Sequence, residues 1–414
     1  PFALANTNSD PSVRYKAAKK AAEFISSKYY IEKNNKIKII KDSKKLNIGY
    51  VSPDFREHSL GETFALLLSA HNKNKFNFFG YTSQTNTDNI TKSLIKDFHK
   101  YTNLSKTSLA ESVNIIENDN IDILIDLAGH TRGNNLNIFA QKPAPIQAHY
   151  LGYGTTIGAN YIPWLISDKV HSPPELQKFC NESIVLLPNS FMPASANNKI
   201  ISIEKSKRKN FLLPDNTIVF ANFNSSYKFN PTSFKSWMNI LKNCKDSVIW
   251  LQVSSDSAKK HLREEALTHG ISPKRLVFAN RVNRKEHLQR LSLADIALDT
   301  FPHNGGVTTI DALLAGIPVI NIIGENHSQR TGASILSAAS LTELITNSVE
   351  DYENLAIGLA KDNNKLQAIK SKILHYSKKS SLFDINLLAR SLETAFLKIY
   401  ECWQKNEKPH HIEI

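Results

Sequence analysis

Along most of this chain short apolar runs alternate with amphipathic stretches, a pattern that predicts parallel sheet covered by crossover helices. The first series begins with Leu46 to Val51, Phe76 to Tyr81 and Ile121 to Leu127. A polar, Lys-rich passage from Asn197 to Asn210 interrupts it. A second series comes after it, with Thr217 to Phe223, Val248 to Val253, Arg275 to Phe278, Ile296 to Leu298 and Val319 to Ile323. Helices are expected over Ser233 to Lys242, Ala258 to His269, Lys285 to Leu293 and Thr308 to Ala315. Each is long enough to cover a sheet face. The pattern therefore predicts an α/β protein with two doubly wound lobes, residues 46–205 and 206–384.

The two ends differ from this body. Residues 1–45 are polar and strand-poor, with one helix expected from Ser12 to Ser27, where Val13, Ala17, Ala21 and Ile25 share a face. They look like a preceding helical module or its remnant, and a chain that opens on Pro1 instead of Met is expected to have lost an upstream region. After Glu350 helix dominates. The segment 385–414 is read as a closing helix and tail, in which Leu387, Leu388, Leu392, Ala395, Phe396 and Ile399 form an apolar stripe expected to lie across both lobes. No repeat of 20 to 50 residues is visible, so the chain is not itself a solenoid.

Composition narrows the class. At 414 residues the chain exceeds what one core usually supports, and 41% hydrophobic residues suffice for two packed cores. No apolar stretch approaches the roughly 18 residues of a membrane span, and no charged start followed by an apolar segment marks a signal peptide. The three cysteines, Cys180, Cys244 and Cys402, are far apart and lack metal-ligand spacing. They argue for a reducing compartment, hence the cytoplasm, and against a zinc site or disulfide framework. The net charge of +13 attracts phosphates, nucleic acid and anionic membranes alike. Much of the excess sits in Lys16 to Lys20, Lys33 to Lys45 and Lys205 to Lys209, which read as solvated faces and linkers. No aromatic-basic platform accompanies them, so nucleic acid is not an expected partner.

In open parallel sheets ligands bind beyond the carboxyl ends of strands, so motifs just after strands carry the chemistry. The stretch Asp299-Thr-Phe-Pro-His-Asn-Gly-Gly-Val-Thr-Thr-Ile-Asp311 reads as strand end, turn and helix start. Backbone amides freed by Gly305 and Gly306 after Asn304, with the Thr308 and Thr309 hydroxyls, suit a diphosphate. Asp311 could accept from ribose hydroxyls. The same residues also suit an ordinary capped helix, with Thr308 as cap. Upstream, Asn222-Phe-Asn-Ser-Ser-Tyr-Lys228 follows a strand and offers a cation for a leaving diphosphate, or a plain surface lysine. Arg284-Lys-Glu-His287-Leu-Gln-Arg290 puts His287 and Arg290 on one helix face, where they could hold a pyrimidine or merely face solvent. In the first lobe, His58 of Ser52-Pro-Asp-Phe-Arg-Glu-His58 and His130 of Asp126-Leu-Ala-Gly-His130-Thr-Arg-Gly both follow strands. Either could act as general base or hold an acceptor. Nowhere do two aspartates stand two residues apart, so the Asp-x-Asp pair that many sugar transferases use to hold a metal is missing.

At these residues the chain resembles glycosyltransferase family 41, the family of the protein O-GlcNAc transferases, the plant SPINDLY proteins and the bacterial adhesin N-glucosyltransferases. The resemblance is carried by residues 46–58, 125–133, 143–153, the Tyr227-Lys228 loop and Asp299 to Asp311, and is continuous from Leu46 to about Tyr400. It implies a GT-B fold, inversion at the anomeric carbon, a UDP-sugar as co-substrate, a protein or peptide acceptor, and no metal or other cofactor. On it, Lys228 matches the lysine at the donor diphosphate, His287 the histidine against uracil and Arg290 the nearby arginine. Thr308 matches a diphosphate-binding threonine, Asp311 the aspartate on ribose, and His58 an active-site histidine assigned both as base and as acceptor-aligning group. Arg284 stands where animal members have lysine, Ser225 where they have glutamine beside the base, Gly306-Val307 where they have His-Thr, and His130 where they have tyrosine. The expected activity is transfer of a sugar, GlcNAc in the leading case, to Ser or Thr of a protein. Alternatives are N-glucosyl or O-fucosyl transfer, or a UDP-binding scaffold without turnover. Tetratricopeptide repeats, which select proteins in many members, are expected upstream or on a partner.

Overall fold

The computed structural model describes residues 1–30, 45–196, 205–376 and 379–414. Most of the Lys33 to Lys45 stretch and residues 197–204 of the polar passage fall outside them. The chain divides into two compact units. The first comprises Pro1–Leu4, Ser9–Ala194 and Asp384–Ile414, the second Ala5–Asn8 and Ser195–Phe383.

The first unit opens on helix α1 (Pro11–Tyr29), whose start is set by Asp10 accepting from the Ser12 amide and by proline in its first turn. Its buried residues are Ala18 and Ala22, with Ile25 packed on the core, while Val13 is exposed. The buried alanines thus sit one position on from Ala17 and Ala21 of the predicted stripe, at the point where the helix backbone meets Gly158, while Ile25 packs as predicted. Strands and helices then alternate: β1 (Leu46–Val51), α2 (Ser59–Ala70), β2 (Phe76–Thr82), α3 (Asn89–Asp97), β3 (Lys100–Asn103), α4 (Leu109–Asn118), β4 (Ile123–Asp126), α5 (Leu136–Ala140), β5 (Ile146–Tyr150), β6 (Trp164–Asp168) and β7 (Ser183–Leu187). Capping boxes open α3 at Asp88 and α4 at Ser108. The strands pair in parallel in the order β3-β2-β1-β4-β5-β6-β7. Every residue of β4 is buried, as an all-apolar run covered on both faces requires.

The second unit repeats the plan: β8 (Ile218–Asn222), α6 (Pro231–Asn243), β9 (Ser247–Gln252), α7 (Asp256–Thr268), β10 (Leu276–Ala279), α8 (Arg284–Leu291), β11 (Ile296–Leu298), α9 (Val307–Leu314), β12 (Val319–Ile322), α10 (Thr331–Ala338), β13 (Ile345–Thr346), α11 (Val349–Lys361) and α12 (Asn363–Tyr376). Its parallel order is β10-β9-β8-β11-β12-β13. In both sheets chain order reverses beside the first strand, between β1 and β4 and between β8 and β11. At such a switch point the loops after the two strands diverge to opposite faces and leave room for a ligand.

The chain then returns to the first unit as α13 (Ile385–Gln404), which buries Leu388, Ala389, Leu392, Ala395, Phe396 and Ile399 and packs on α2. Leu387, predicted within the stripe, is exposed. A last short strand, β14 (Ile412–Glu413), extends the first sheet beside β7. Among the described residues no helix is long and apolar enough to cross a membrane.

Candidate functional site

The residues singled out in the second unit converge at its switch point. The loop after β8 passes through Phe223 and Asn224, both buried, then exposed Ser225 and Tyr227, and ends in a short 3-10 turn at Lys228. The loop after β11 runs from Asp299 to Gly306 and feeds α9. A pocket between them is lined by Phe223, Asn224, Leu298, Asp299, Thr308 and Thr309.

Asp299 organises this pocket. Buried at the end of β11, its carboxylate accepts from the amides of Thr300 (2.8 Å) and Gly305 (2.7 Å) and from the side-chain amides of Asn224 (3.1 Å) and Asn321 (2.9 Å). Burial pushes its pKa up, against the pull of the Gly305 amide and the Lys228 charge. The bond to Gly305 folds the turn so tightly that a Cβ there would lie 2.6 Å from the Thr308 hydroxyl and 2.7 Å from that of Thr309. Only glycine fits. Asn304 is buried too. Its side-chain amide donates to the Thr300 carbonyl at 3.0 Å, while its own carbonyl accepts from the Lys228 ammonium at 2.6 Å.

Lys228 is therefore not a plain surface lysine. Burial pulls its pKa down to about 8, and nearby Asp299 opposes that fall. An ammonium has three donors, so the bond to Asn304 does not exhaust it. Thr308 does not cap α9 either. The N-cap is Gly306, no side chain bonds the helix start, and the Thr308 hydroxyl donates to the Asn224 side chain at 2.7 Å. Thr309 is buried beside it. A helix start without a side-chain cap, two hydroxyls and a half-buried cation together suit an anion.

Helices α8 and α9 meet here as well. Arg284 donates to Asp311 at 2.5 Å, tying the beginnings of both helices together. His287 and Arg290 share a face, as their spacing predicts, and touch at 3.3 Å. That face is not solvated. Phe223 packs edge-on against His287 with ring centres 5.1 Å apart, and the Arg290 guanidinium stacks 4.9 Å from Phe223 and 5.9 Å from Trp250. Arg290 also donates to the Asn280 carbonyl at 2.6 Å. Burial, then the neighbouring arginines, press the His287 pKa down to about 3, so the ring is neutral. A neutral imidazole beside a fixed guanidinium and an aromatic edge suits a planar heterocycle.

In the first unit His58 and His130 follow β1 and β4, on the two loops of that sheet's own switch point. The loops are neighbours, since a Cβ on Gly133 would lie 3.5 Å from Pro53. His58 is the N-cap of α2, with Nδ1 accepting from the Leu60 amide at 3.2 Å. An amide only donates, so the neutral ring carries its proton on Nε2. His130 is arranged the other way. Its Nε2 lies 2.8 Å from the Ile157 carbonyl, which only accepts, so the neutral ring keeps its lone pair on Nδ1. Burial lowers the His130 pKa, which favours that neutral form. The two imidazoles are thus set in opposite tautomers.

Sequence reading missed the residues that hold His130. Asp126 accepts from the Gly129 amide at 2.7 Å and pairs with buried His149 at 2.8 Å, and His149 also bonds the Tyr153 carbonyl. The Tyr153 ring stands edge-on to His130 at 5.5 Å. Buried Glu182 accepts from Ile157 N and from the Thr156 hydroxyl, both at 2.6 Å, fixing the residue whose carbonyl receives His130. Burial opposes charge on His149, but the Asp126 bond and charge, with the Tyr153 carbonyl and Glu182, together outweigh it and the pKa is raised. A strand-end aspartate is a visible signal for Asp126, as it is for Asp299. Nothing local marks Glu182, Asn224 or Asn321, whose partners are distant in sequence.

Comparison with known proteins places these sites in a family. The model for "Glycosyl transferase family 41" matches residues 10–197 and 193–392. A protein of Arabidopsis thaliana described as the probable UDP-N-acetylglucosamine–peptide N-acetylglucosaminyltransferase SEC is 33% identical over 377 residues, 90% of this chain and 39% of that protein. The Caenorhabditis elegans UDP-N-acetylglucosamine–peptide N-acetylglucosaminyltransferase is 24% identical over 485 residues, 90% of this chain and 42% of its own length. The chain spans about two fifths of the length of these relatives. Among solved structures, an O-GlcNAc transferase mutant of Thermobaculum terrenum superposes with a TM-score of 0.88 at 24% identity, covering 97% of this chain and 77% of that one. Anabaena HepE in complex with UDP-glucose has a TM-score of 0.58 at 12% identity, covering 85% of this chain and 100% of its own. Both likenesses establish the GT-B class expected for two parallel α/β lobes. With its family model matched across residues 10–392, the chain belongs to glycosyl transferase family 41.

Proposed function

We propose that this chain transfers a sugar, GlcNAc in the first instance, from a UDP-sugar to a serine or threonine hydroxyl of a protein, with inversion and without a metal. The observation that carries this reading is the arrangement at the second switch point: a half-buried Lys228 ammonium, a glycine turn clamped by Asp299, and the start of α9 flanked by the Thr308 and Thr309 hydroxyls. The diphosphate would lie there, the uracil against Phe223, His287 and Arg290, and the ribose near Asp311. The names of the relatives supply the sugar and the peptide acceptor.

In this mechanism the acceptor oxygen forms a bond to the anomeric carbon as the bond from that carbon to the β-phosphate oxygen breaks. UDP leaves with the electron pair, and its growing charge is received by Lys228, the two hydroxyls and the α9 amides. The tautomers divide the acceptor side. His58, with Nε2 as donor, orients an acceptor oxygen, while His130, neutral and with its lone pair on Nδ1, takes the hydroxyl proton. The three free cysteines support a reducing, cytoplasmic setting.

Incubation with UDP-GlcNAc, UDP-glucose and GDP-fucose, each with a protein acceptor, followed by mass spectrometry of the acceptor, tests the reading. The expected outcome is a GlcNAc adduct on serine or threonine. A hexose on asparagine, a fucose, or UDP binding without turnover of any donor would each replace it.

A further inference from the structure

At the far end of α13 the chain doubles back. The Asn406 backbone is left-handed (φ 55°), its amide bonds the Trp403 carbonyl, and the Glu407 amide bonds that of Cys402 at 3.0 Å. Such a turn is a common helix stop. It returns residues 407–411 over the last turn of the helix, and β14, paired with β7, anchors the end of the tail. The consequence is local crowding of electron pairs around one buried sulfur. Cys402 Sγ lies 3.7 Å from the Glu407 carbonyl, 3.8 Å from the Lys408 carbonyl and 3.9 Å from His410 Nδ1. The sulfur, a His410 ring nitrogen and a Glu407 carboxylate oxygen all lie within 4.8 Å of one another.

The arrangement gathers three metal-ligating groups of different chemistry on one spot. A thiol has one proton to give, yet two carbonyl oxygens and an imidazole nitrogen compete for it. His410 Nδ1 also lies 3.2 Å from the Lys408 carbonyl, and that nitrogen cannot both donate to the carbonyl and accept from the thiol. A cation would take an electron pair from each of the sulfur, the ring nitrogen and the carboxylate. In a tetrahedral zinc site, Zn–S of about 2.3 Å and Zn–N of about 2.0 Å put sulfur and nitrogen about 3.5 Å apart. The 3.9 Å separation here needs only a small side-chain adjustment. Thiolate, imidazole and carboxylate are a donor set for zinc and its neighbours in the transition series, not for magnesium or calcium.

We propose that Cys402, Glu407 and His410 bind one zinc ion at the β14 edge of the first sheet, clipping the tail to the end of α13. The spacing Cys-x4-Glu-x2-His contains no second cysteine, so it lacks the paired-cysteine signature by which zinc sites are usually read from sequence. Zinc must displace the thiol proton. Affinity should therefore weaken as pH falls.

The test uses the whole chain, freed of any affinity tag and of metal. Zinc is titrated against a chromophoric chelator, and cobalt is added in parallel as a spectroscopic probe. The expected result is one equivalent bound, a rise in thermal midpoint with zinc, and a thiolate-to-cobalt charge-transfer band. His410→Ala, at an exposed position that leaves the fold alone, should weaken binding by more than about tenfold. Cys402→Ser should abolish the band. The proposal is overturned if the wild-type chain binds no equivalent at micromolar zinc, if cobalt binds without the band, or if His410→Ala binds as tightly as wild type. None of these outcomes bears on sugar transfer, so this inference and the proposed function fail separately.

Discussion

The chemistry rests on a few residues whose charge or tautomer is set by what surrounds them. Lys228 is the clearest. Its pKa near 8 means that the native chain holds fewer protons than the unfolded chain between about pH 8 and the ordinary lysine value near 10.4. Over that window this group makes the fold more stable as pH rises, while transfer loses its cation. We expect kcat/KM for the donor to fall above about pH 8 with no loss of thermal stability from this group. Lys228→Ala should fold yet lose about a hundredfold or more in kcat, and near-normal turnover would remove Lys228 from the mechanism. His58 allows a second separation of roles. Asparagine is also a good N-cap, so His58→Asn should keep the thermal midpoint, whereas His58→Ala should cost about 1 kcal/mol through the lost bond to Leu60. If His58 only orients the acceptor, both variants raise KM for the acceptor and leave the acidic limb of the pH profile in place. Loss of that limb would make it the base. The motif residues are legible in sequence because glycine turns and strand-end charges announce themselves. Asp299 shows there only as the first residue of its motif, because its role depends on Asn224 and Asn321, and side chains brought together by a sheet carry no local signal.

At the scale of elements, legibility follows burial. Strands buried along most of their length, β4 and β9 among them, carry apolar runs, and the sequence places them within a residue or two. The edge strand β3 reads Lys-Tyr-Thr-Asn, and β13 and β14 are two residues each, too polar or too short for any period to show. Helices α1 and α13 are marked by their apolar stripes; α13 buries the predicted face except for Leu387, while α1 buries Ala18 and Ala22 in place of Ala17 and Ala21. A helix is cylindrical, and which of two adjacent residues meets the core depends on the partner, here α2 for α13. That contact can be weighed. Phe396 is buried with its ring 6.2 Å from Phe76 and 6.1 Å from His71. Phe396→Ala should destabilise the chain by about 3–5 kcal/mol, read as a shift in the denaturant midpoint. A shift under about 1 kcal/mol would mean that α13 contributes little to the first core.

At the scale of the molecule, two parallel sheets each present a switch point, and most candidate residues follow the strands that flank it, while Arg284, His287 and Arg290 come from α8, after the edge strand β10. The second holds an anion seat beside an aromatic-guanidinium wall, and the first holds two imidazoles in opposite tautomers. The two groups are visible in sequence as two series of strands with different motifs after them. The most direct measurement is a crystal structure of the chain grown with UDP. The diphosphate is expected at the start of α9, within hydrogen-bond reach of the Lys228 ammonium and the Thr308 hydroxyl, with uracil against His287 and Phe223. Nucleotide bound elsewhere on the chain, or a diphosphate out of reach of Lys228, would contradict it.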